Sequence, residues 1–285
     1  MPEPGDSNAD EPPIRRVPVV ASATVLGMAA FALVLAVTDP PGPGLDPDAM
    51  AYMGAAESVA AHGDYRIPAG IWSGSDSTGV LAHVPPGYST LLALPVRLGM
   101  PPAQSARLIE ASAAGVTTAT LVFLMVEATT LVAGVSLALA LFVMVAMFEV
   151  HSSVLSEPVY LACTALTLAA MTRRNPSPSR LGVSAAVGAI TRYAGLALVS
   201  AAAIWMLLER GALRTRMQRA LRTVLPAMLL LGAWVARSER IGGPAKIRHF
   251  AFYGGLGDAI RRGSETLRDW LVPDVDAEKD RKSVV

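Results

Sequence analysis

The sequence predicts an all-α, polytopic membrane protein, and three observations carry that expectation. Apolar runs of about 20 residues recur along the chain, the length an α-helix needs to cross a hydrocarbon core of about 30 Å. Charged residues make up only 16% of the 285 residues, against 52% hydrophobic, and they gather at the ends of the apolar runs, where topology signals belong. Between the first and second runs lie two shorter helical patterns, suited to lying along a membrane surface and too short to span it.

Residues 1–16 are acidic and Pro-rich and then basic, with almost nothing to bury, so a disordered cytoplasmic N-terminus is expected. Arg15 and Arg16 precede the apolar run Val17 to Thr38. That run exceeds the core of about 7–15 residues typical of a signal peptide, so it reads as an uncleaved first span with the loop 39–102 outside. Within the loop, Met50, Met53, Ala56 and Val59 recur at helical spacing from Asp48 onward, and His62-Gly63 ends a helix of about 14 residues. A Gly/Ser-rich stretch follows. Pro85-Pro86 opens a second short apolar helix reaching Met100, about 15 residues and about 22 Å long.

The runs Ala103–Val126, Leu131–Val150 and Val154–Met171 are each expected to cross. The cluster Arg173, Arg174 and Arg180 is cytoplasmic only if the Pro86 helix does not cross, which its length also demands. Leu181 to Leu208 carries Arg192 near its middle, and a second cluster follows: Arg210, Arg214, Arg216, Arg219 and Arg222. Both clusters are cytoplasmic only if the chain between them crosses an even number of times. Two short helices meeting at Thr191-Arg192-Tyr193 are therefore expected. One long tilted helix would instead bury a mid-membrane arginine at about 2.5–3.5 kcal/mol on insertion scales. Thr223 to Ala236 is the last run. The total is about seven spans, three of them short, giving a transmembrane module over 17–237. An outer-face segment, 238–285, follows with an amphipathic helix from Asp258 to Leu271 and a charged tail.

The net charge of +1 argues for no nucleic-acid partner. The one cysteine, Cys163, lies in an apolar run and excludes an internal disulfide and a Cys-rich metal site. The chain has no Gly-rich phosphate loop, His-Glu-x-x-His helix or Gly-x-Ser-x-Gly elbow, and no metal or cofactor is expected. The better lead is the set of ionisable groups at or in the membrane, each costly to hold there: Asp46, Asp48, Glu149, Glu157 and Arg192, all on one face of the predicted topology. His83, just before the two prolines, could meet an anionic group. Ser156-Glu157-Pro158 also reads as a plain helix start, with serine as N-cap and proline in the first turn.

Six pieces in order, Asp48 with Tyr52, Gly63-x-Tyr65, Pro85-Pro86-Gly87-Tyr88, Arg107, Ser156-Glu157-Pro158 and Thr191-Arg192-Tyr193-x-Gly195, resemble the C-type membrane glycosyltransferases. The similarity is to bacterial members related to the protein mannosyltransferases and the lipid A aminoarabinose transferases, and it covers roughly residues 15 to 273. The resemblance implies a polyprenyl-phosphate-linked sugar donor and an envelope glycan, lipid or protein acceptor in a multi-pass cell-membrane protein. By match, Asp48 would be the catalytic base, and Tyr52, His83, Tyr88, Arg107, Glu157 and Arg192 would bind substrate. Trp270 and Pro273 look like the family's Trp/Pro pair after the seventh span. The family continues for several more spans, so ending at Val285 implies a truncated copy. Two rival classes stay open: a catalytically incomplete remnant that binds lipid or a partner membrane protein, and a transporter fragment with broken helices.

Overall fold

The computed structural model describes residues 13–39, 42–67, 79–81, 84–173, 175–241 and 255–271. They are overwhelmingly helical, in two compact units that divide between residues 245 and 246. The N-terminal tail, His83, Arg174, Pro273 and the charged tail lie outside the described residues. The second unit contributes α11 (Leu256–Leu271), which contains Trp270 and carries exposed pairing of Arg261 with Asp258 and Glu265.

Three helices are long and apolar enough to cross a membrane. They are α1 (Pro13–Val37), apolar from Val17; α4 (Pro102–Ala128); and α10 (Leu213–Ile241), apolar enough as far as Arg240. Helix α1 lies along α4. Between them the loop forms α2 (Pro47–His62), a short antiparallel pair of β1 (Arg66–Ile67) with β2 (Gly79–Val80), and α3 (Gly87–Arg97). The β pair has no counterpart in the sequence reading, where the stretch passes for a Gly/Ser-rich loop.

Two expected spans differ. The run 131–150 breaks at Val143-Met144 into α5 (Leu131–Phe142) and α6 (Val145–Ser152), and Met144 is extended with φ −60° and ψ 134°. No proline or glycine marks the break. It accompanies backbone pairing beyond α6, where Gly44 accepts from the Val154 amide and donates to the Ser152 carbonyl, both at 2.9 Å. That pairing holds Ser153 extended, with φ −117° and ψ 153°, and delays α7 to Glu157–Met171. At 15 residues α7 is about 22 Å long, short of a full crossing.

The segment 181–208 breaks at the expected place. Helix α8 (Pro178–Thr191) ends at Arg192, which is extended, and α9 (Gly195–Leu208) folds back along it. Arg219 of α10 clamps the open end of this hairpin. Its guanidinium ion-pairs with Glu209 just after α9, and Nη2 donates to the Pro176 carbonyl just before α8 at 2.7 Å. Thr223 adds a bond to the Pro178 carbonyl at 3.3 Å. Chain entry and exit therefore meet at one end, with both basic clusters beside them.

Of the expected apolar stripe on α2, Met53, Ala56 and Val59 pack on the core and Met50 does not. Ala49, Tyr52 and Ala56 with Ala51 and Ala55 are buried, whereas Met50 is 46% exposed. The small alanines let α2 approach α3 closely, so the inward face is set by backbone proximity and the larger Met50 is left outside. Tyr88 and Leu92 of α3 fill the same core completely, a burial worth about 1.5–3 kcal/mol for each large apolar side chain.

The closed end of the hairpin depends on two glycines. A Cβ on Gly195 would sit 2.4 Å from the Ala189 amide nitrogen, and one on Gly87 would sit 2.6 Å from the Ile190 carbonyl oxygen. Both obstacles are backbone, so neither can swing aside, and overpacking of this kind costs about 1–3 kcal/mol. Gly195→Ala and Gly87→Ala should each lower the unfolding midpoint in detergent, whereas Gly232→Ala should raise it slightly. Gly232 has open space around its Cβ position in α10, and alanine gains about 0.5–1 kcal/mol over glycine in a helix interior. Thermal unfolding followed by helical circular dichroism measures all three, and equal midpoints for Gly195→Ala and Gly232→Ala would refute the close approach.

Candidate functional site

Ser156 is the hub of the polar cluster at the closed end of the hairpin. It occupies the N-cap position of α7 but makes no capping bond, and its φ of −81° and ψ of −12° lie in the helical region. Its hydroxyl instead faces three partners. Arg192 Nη1 donates to Oγ at 3.2 Å, Tyr52 Oη lies 3.4 Å away, and Oγ donates to Glu157 Oε2 at 3.4 Å. A hydroxyl has one proton and two acceptor lone pairs. Donating to Glu157 while accepting from Arg192 and Tyr52 uses all three, although the two 3.4 Å contacts are long and weak.

Arg192 also forms an ion pair with Glu157, whose carboxylate sits in the first turn of α7, where the helix dipole favours negative charge. Both side chains remain about a third exposed, 36% and 32%, so an added anion can reach the guanidinium. Arg192 arrives there because α8 ends at Thr191 and the Gly195 contact folds α9 back at once.

From Tyr52 the cluster runs inward. The Tyr52 and Tyr88 rings meet edge to face, 5.0 Å between centroids and 87° between planes, an arrangement worth about 0.5–1.5 kcal/mol beyond burial. Tyr88 donates its hydroxyl hydrogen to Glu110 Oε1. Glu110 is fully buried on α4, and its Oε2 has no hydrogen-bond partner. Burial pushes the Tyr52 phenol above its usual range, which keeps it a proton donor toward Ser156.

Asp48 is the second residue of α2, after Pro47, and is partly buried. The N-cap position belongs to Asp46, which is extended and whose carbonyl accepts from the Ala49 amide at 2.9 Å. Asp48 lies one turn before Tyr52, and its charge acts on the phenol. The Gly44 pairing ties the chain just before α2 to residues 152–154, which holds the start of α2 near Ser156.

Of the residues singled out from sequence, Asp48, Tyr52, Tyr88, Glu157 and Arg192 belong to one connected region. Arg107 does not join their hydrogen bonds. It caps the end of α1, donating to the Leu35 carbonyl at 2.8 Å and Thr38 Oγ1 at 3.2 Å and pairing with Asp39 at 3.2 Å. Cations are favoured at a helix C-terminus. His83 lies outside the described residues. Two members were missed: Ser156, read as a cap, and Glu110, an acid inside an expected span that the rule on membrane-embedded charges would have flagged. Among the described residues no three His, Cys, Asp or Glu side chains are grouped to hold a metal ion. Comparison with known proteins finds no matching family model, no similar curated protein and no similar solved structure.

The pairing of Arg192 with Glu157 is open to a double-mutant cycle. Arg192→Met strands a carboxylate and Glu157→Gln strands a guanidinium, so the double variant should be more stable than the sum of the singles. For a pair this exposed a coupling of about 1 kcal/mol is expected. Additive losses in denaturant unfolding would mean that Ser156 and solvent already satisfy both charges.

Proposed function

We propose that the chain is a membrane glycosyltransferase module that moves a sugar from a polyprenyl-phosphate donor to an acceptor on the outer face. The observation that supports this most is the convergence of the loop helix α2, carrying Asp48, with the hairpin apex carrying Arg192. A carboxylate and a partly exposed guanidinium on rigid elements are the two groups that a single displacement at a sugar phosphate uses. Asp48 takes the proton of the acceptor hydroxyl as its oxygen attacks the anomeric carbon. The carbon–oxygen bond to phosphate breaks, and the phosphate leaves with the electron pair. Arg192 stabilises the charge developing on that leaving group.

The contacts between helix ends support a multi-pass topology with the site outside. One group joins the end of α1 to Arg107, Gly44 to residues 152–154, and Ser156 to Arg192. The other joins Pro176 and Glu209 to Arg219. The first group contains the loop helices and the second contains the basic clusters, so the charge bias assigns the first to the outer face and the second, with the N-terminus, to the cytoplasm. About seven crossings follow, with α5, α7, α8 and α9 short. A second reading, lipid or partner binding without transfer, is favoured by Glu157, which already neutralises Arg192.

Asp48 and Asp46 separate the two readings. Asparagine caps a helix about as well as aspartate but cannot accept the proton. Asp48→Asn should keep folding and donor binding and lose transfer by about a hundredfold or more, the scale of lost acid–base catalysis. Asp46→Asn should stay within a few-fold of the parent. The assay is sugar release from a polyprenyl-phosphate donor by protein in lipid nanodiscs. Equal activity in both variants would remove general-base catalysis from this loop, and donor binding without turnover in the parent would favour the second reading.

A further inference from the structure

A second polar cluster lies on α10, apart from the Ser156 hub. Trp234, Arg237 and Ser238 stand at i, i+3 and i+4, one face of the helix. The Arg237 guanidinium carbon lies 4.8 Å from the Trp234 ring centroid and 5.0 Å from that of Tyr65, and the two rings meet edge to face at 5.1 Å. Tyr65 is fixed in turn by its hydroxyl, 2.7 Å from Thr90 Oγ1 on α3. The guanidinium is thus held in place by two aromatic faces.

Three buried polar atoms on this face have no hydrogen-bond partner among the described residues: Trp234 Nε1, Arg237 Nη1 and Ser238 Oγ. Trp234 and Ser238 are each only 5% exposed. Two of these atoms can only donate, the third can donate, and one carries positive charge. Leaving such donors buried and unpaired forfeits their hydration with nothing in return. Arg237 has no ion-pair partner among the described residues. The missing partner is therefore a compact acceptor with negative charge.

We propose that Trp234, Arg237 and Ser238 form an oxyanion site for a phosphate group, separate from the Arg192 centre. The site lies near the C-terminal end of α10, where its apolar stretch gives out. Under the membrane reading this is the level of lipid headgroups, where tryptophan and arginine are enriched. Ordinary interfacial anchors face lipid, whereas the Trp234 side chain and Arg237 Nη1 point inward. Phosphate in solution and phosphate on a lipid headgroup present the same oxygens, and the experiment separates them.

The test uses full-length protein stripped of lipid in a maltoside detergent, with Trp72, Trp205 and Trp270 changed to Phe so that Trp234 alone reports by fluorescence. The probes are inorganic phosphate, dihexanoyl phosphatidic acid and, as the phosphate-free control, dihexanoylglycerol. A saturable change with at least one phosphate-bearing probe and none with dihexanoylglycerol is expected. Saturation by phosphatidic acid alone identifies a headgroup site, and comparable saturation by both identifies the phosphate as sufficient. Arg237→Gln should weaken binding at least tenfold, and Ser238→Ala about threefold. Arg237→Lys, which keeps the charge and the aromatic stack, should fall between the parent and Arg237→Gln. Arg192→Met, which removes the cation of the other centre, should leave the response unchanged. No saturable response to either phosphate probe, or equal affinity in the parent and both Arg237 variants, overturns the proposal; loss of the response in Arg192→Met overturns its separateness from the Arg192 centre.

Discussion

A guanidinium at the apex of two short apolar helices is the constraint on which the rest of the structure depends. Arg192 is satisfied only if something meets it, and Glu157 and Ser156 do so from the start of α7. That meeting requires the hairpin to stop at Thr191, α9 to turn back at Gly195, and α3 to press its first residue against the same turn. The last two are visible as backbone approaches, at Gly195 and Gly87, that only glycine allows. At the far end of the hairpin Arg219 performs the matching task, joining the segments before α8 and after α9 through Pro176 and Glu209. Two arginines, one at each end, thus fix a pair of helices that also pack through Ala185, Ala186, Ala189, Leu198 and Val199.

The hub at Ser156 joins two kinds of environment. On one side lie Arg192 and Glu157, partly exposed and able to meet a charged ligand. On the other, Tyr52, Tyr88 and Glu110 form a buried line into the core under α2 and α3. This line ties α2, which carries Asp48, to α3 and α4 through Tyr52, Tyr88 and Glu110. Rigid support of that kind is what a reacting group needs. Arg107, by contrast, is held by the end of α1 and supports the scaffold.

Much of the architecture is legible in the sequence because charge and length are local properties. Arg192 within an apolar run, with basic clusters on either side, is enough to require a break there, and α8 and α9 have it. The extents of α2 and α3 follow from Pro47, His62-Gly63 and the Pro85-Pro86 pair. The break between α5 and α6 is not legible, since it accompanies a backbone pairing with Gly44 about a hundred residues away in sequence. Met50 alone of the apolar stripe on α2 is misplaced: periodicity ranks methionine above alanine, whereas close helix packing prefers alanine. At the candidate site, Asp48, Tyr52, Tyr88, Glu157 and Arg192 are found from residue type and order. Ser156 is hidden by its resemblance to a cap, and Glu110 by the apolar run around it.

The most direct test of the hairpin and of the outward-facing site is the sidedness of three single cysteines. In a Cys163→Ser background, which removes the one native cysteine, Asp76→Cys, Asn175→Cys and Thr215→Cys would each be treated with a membrane-impermeant thiol reagent in sealed cells. Labelling at 76 alone is predicted, because the proposed topology puts the loop carrying α2 and α3 outside and the chain entry and exit of the hairpin in the cytoplasm. Labelling at 175 or 215 before the cells are opened would contradict the proposed topology and, with it, the placing of Arg192 and Asp48 on the outer face.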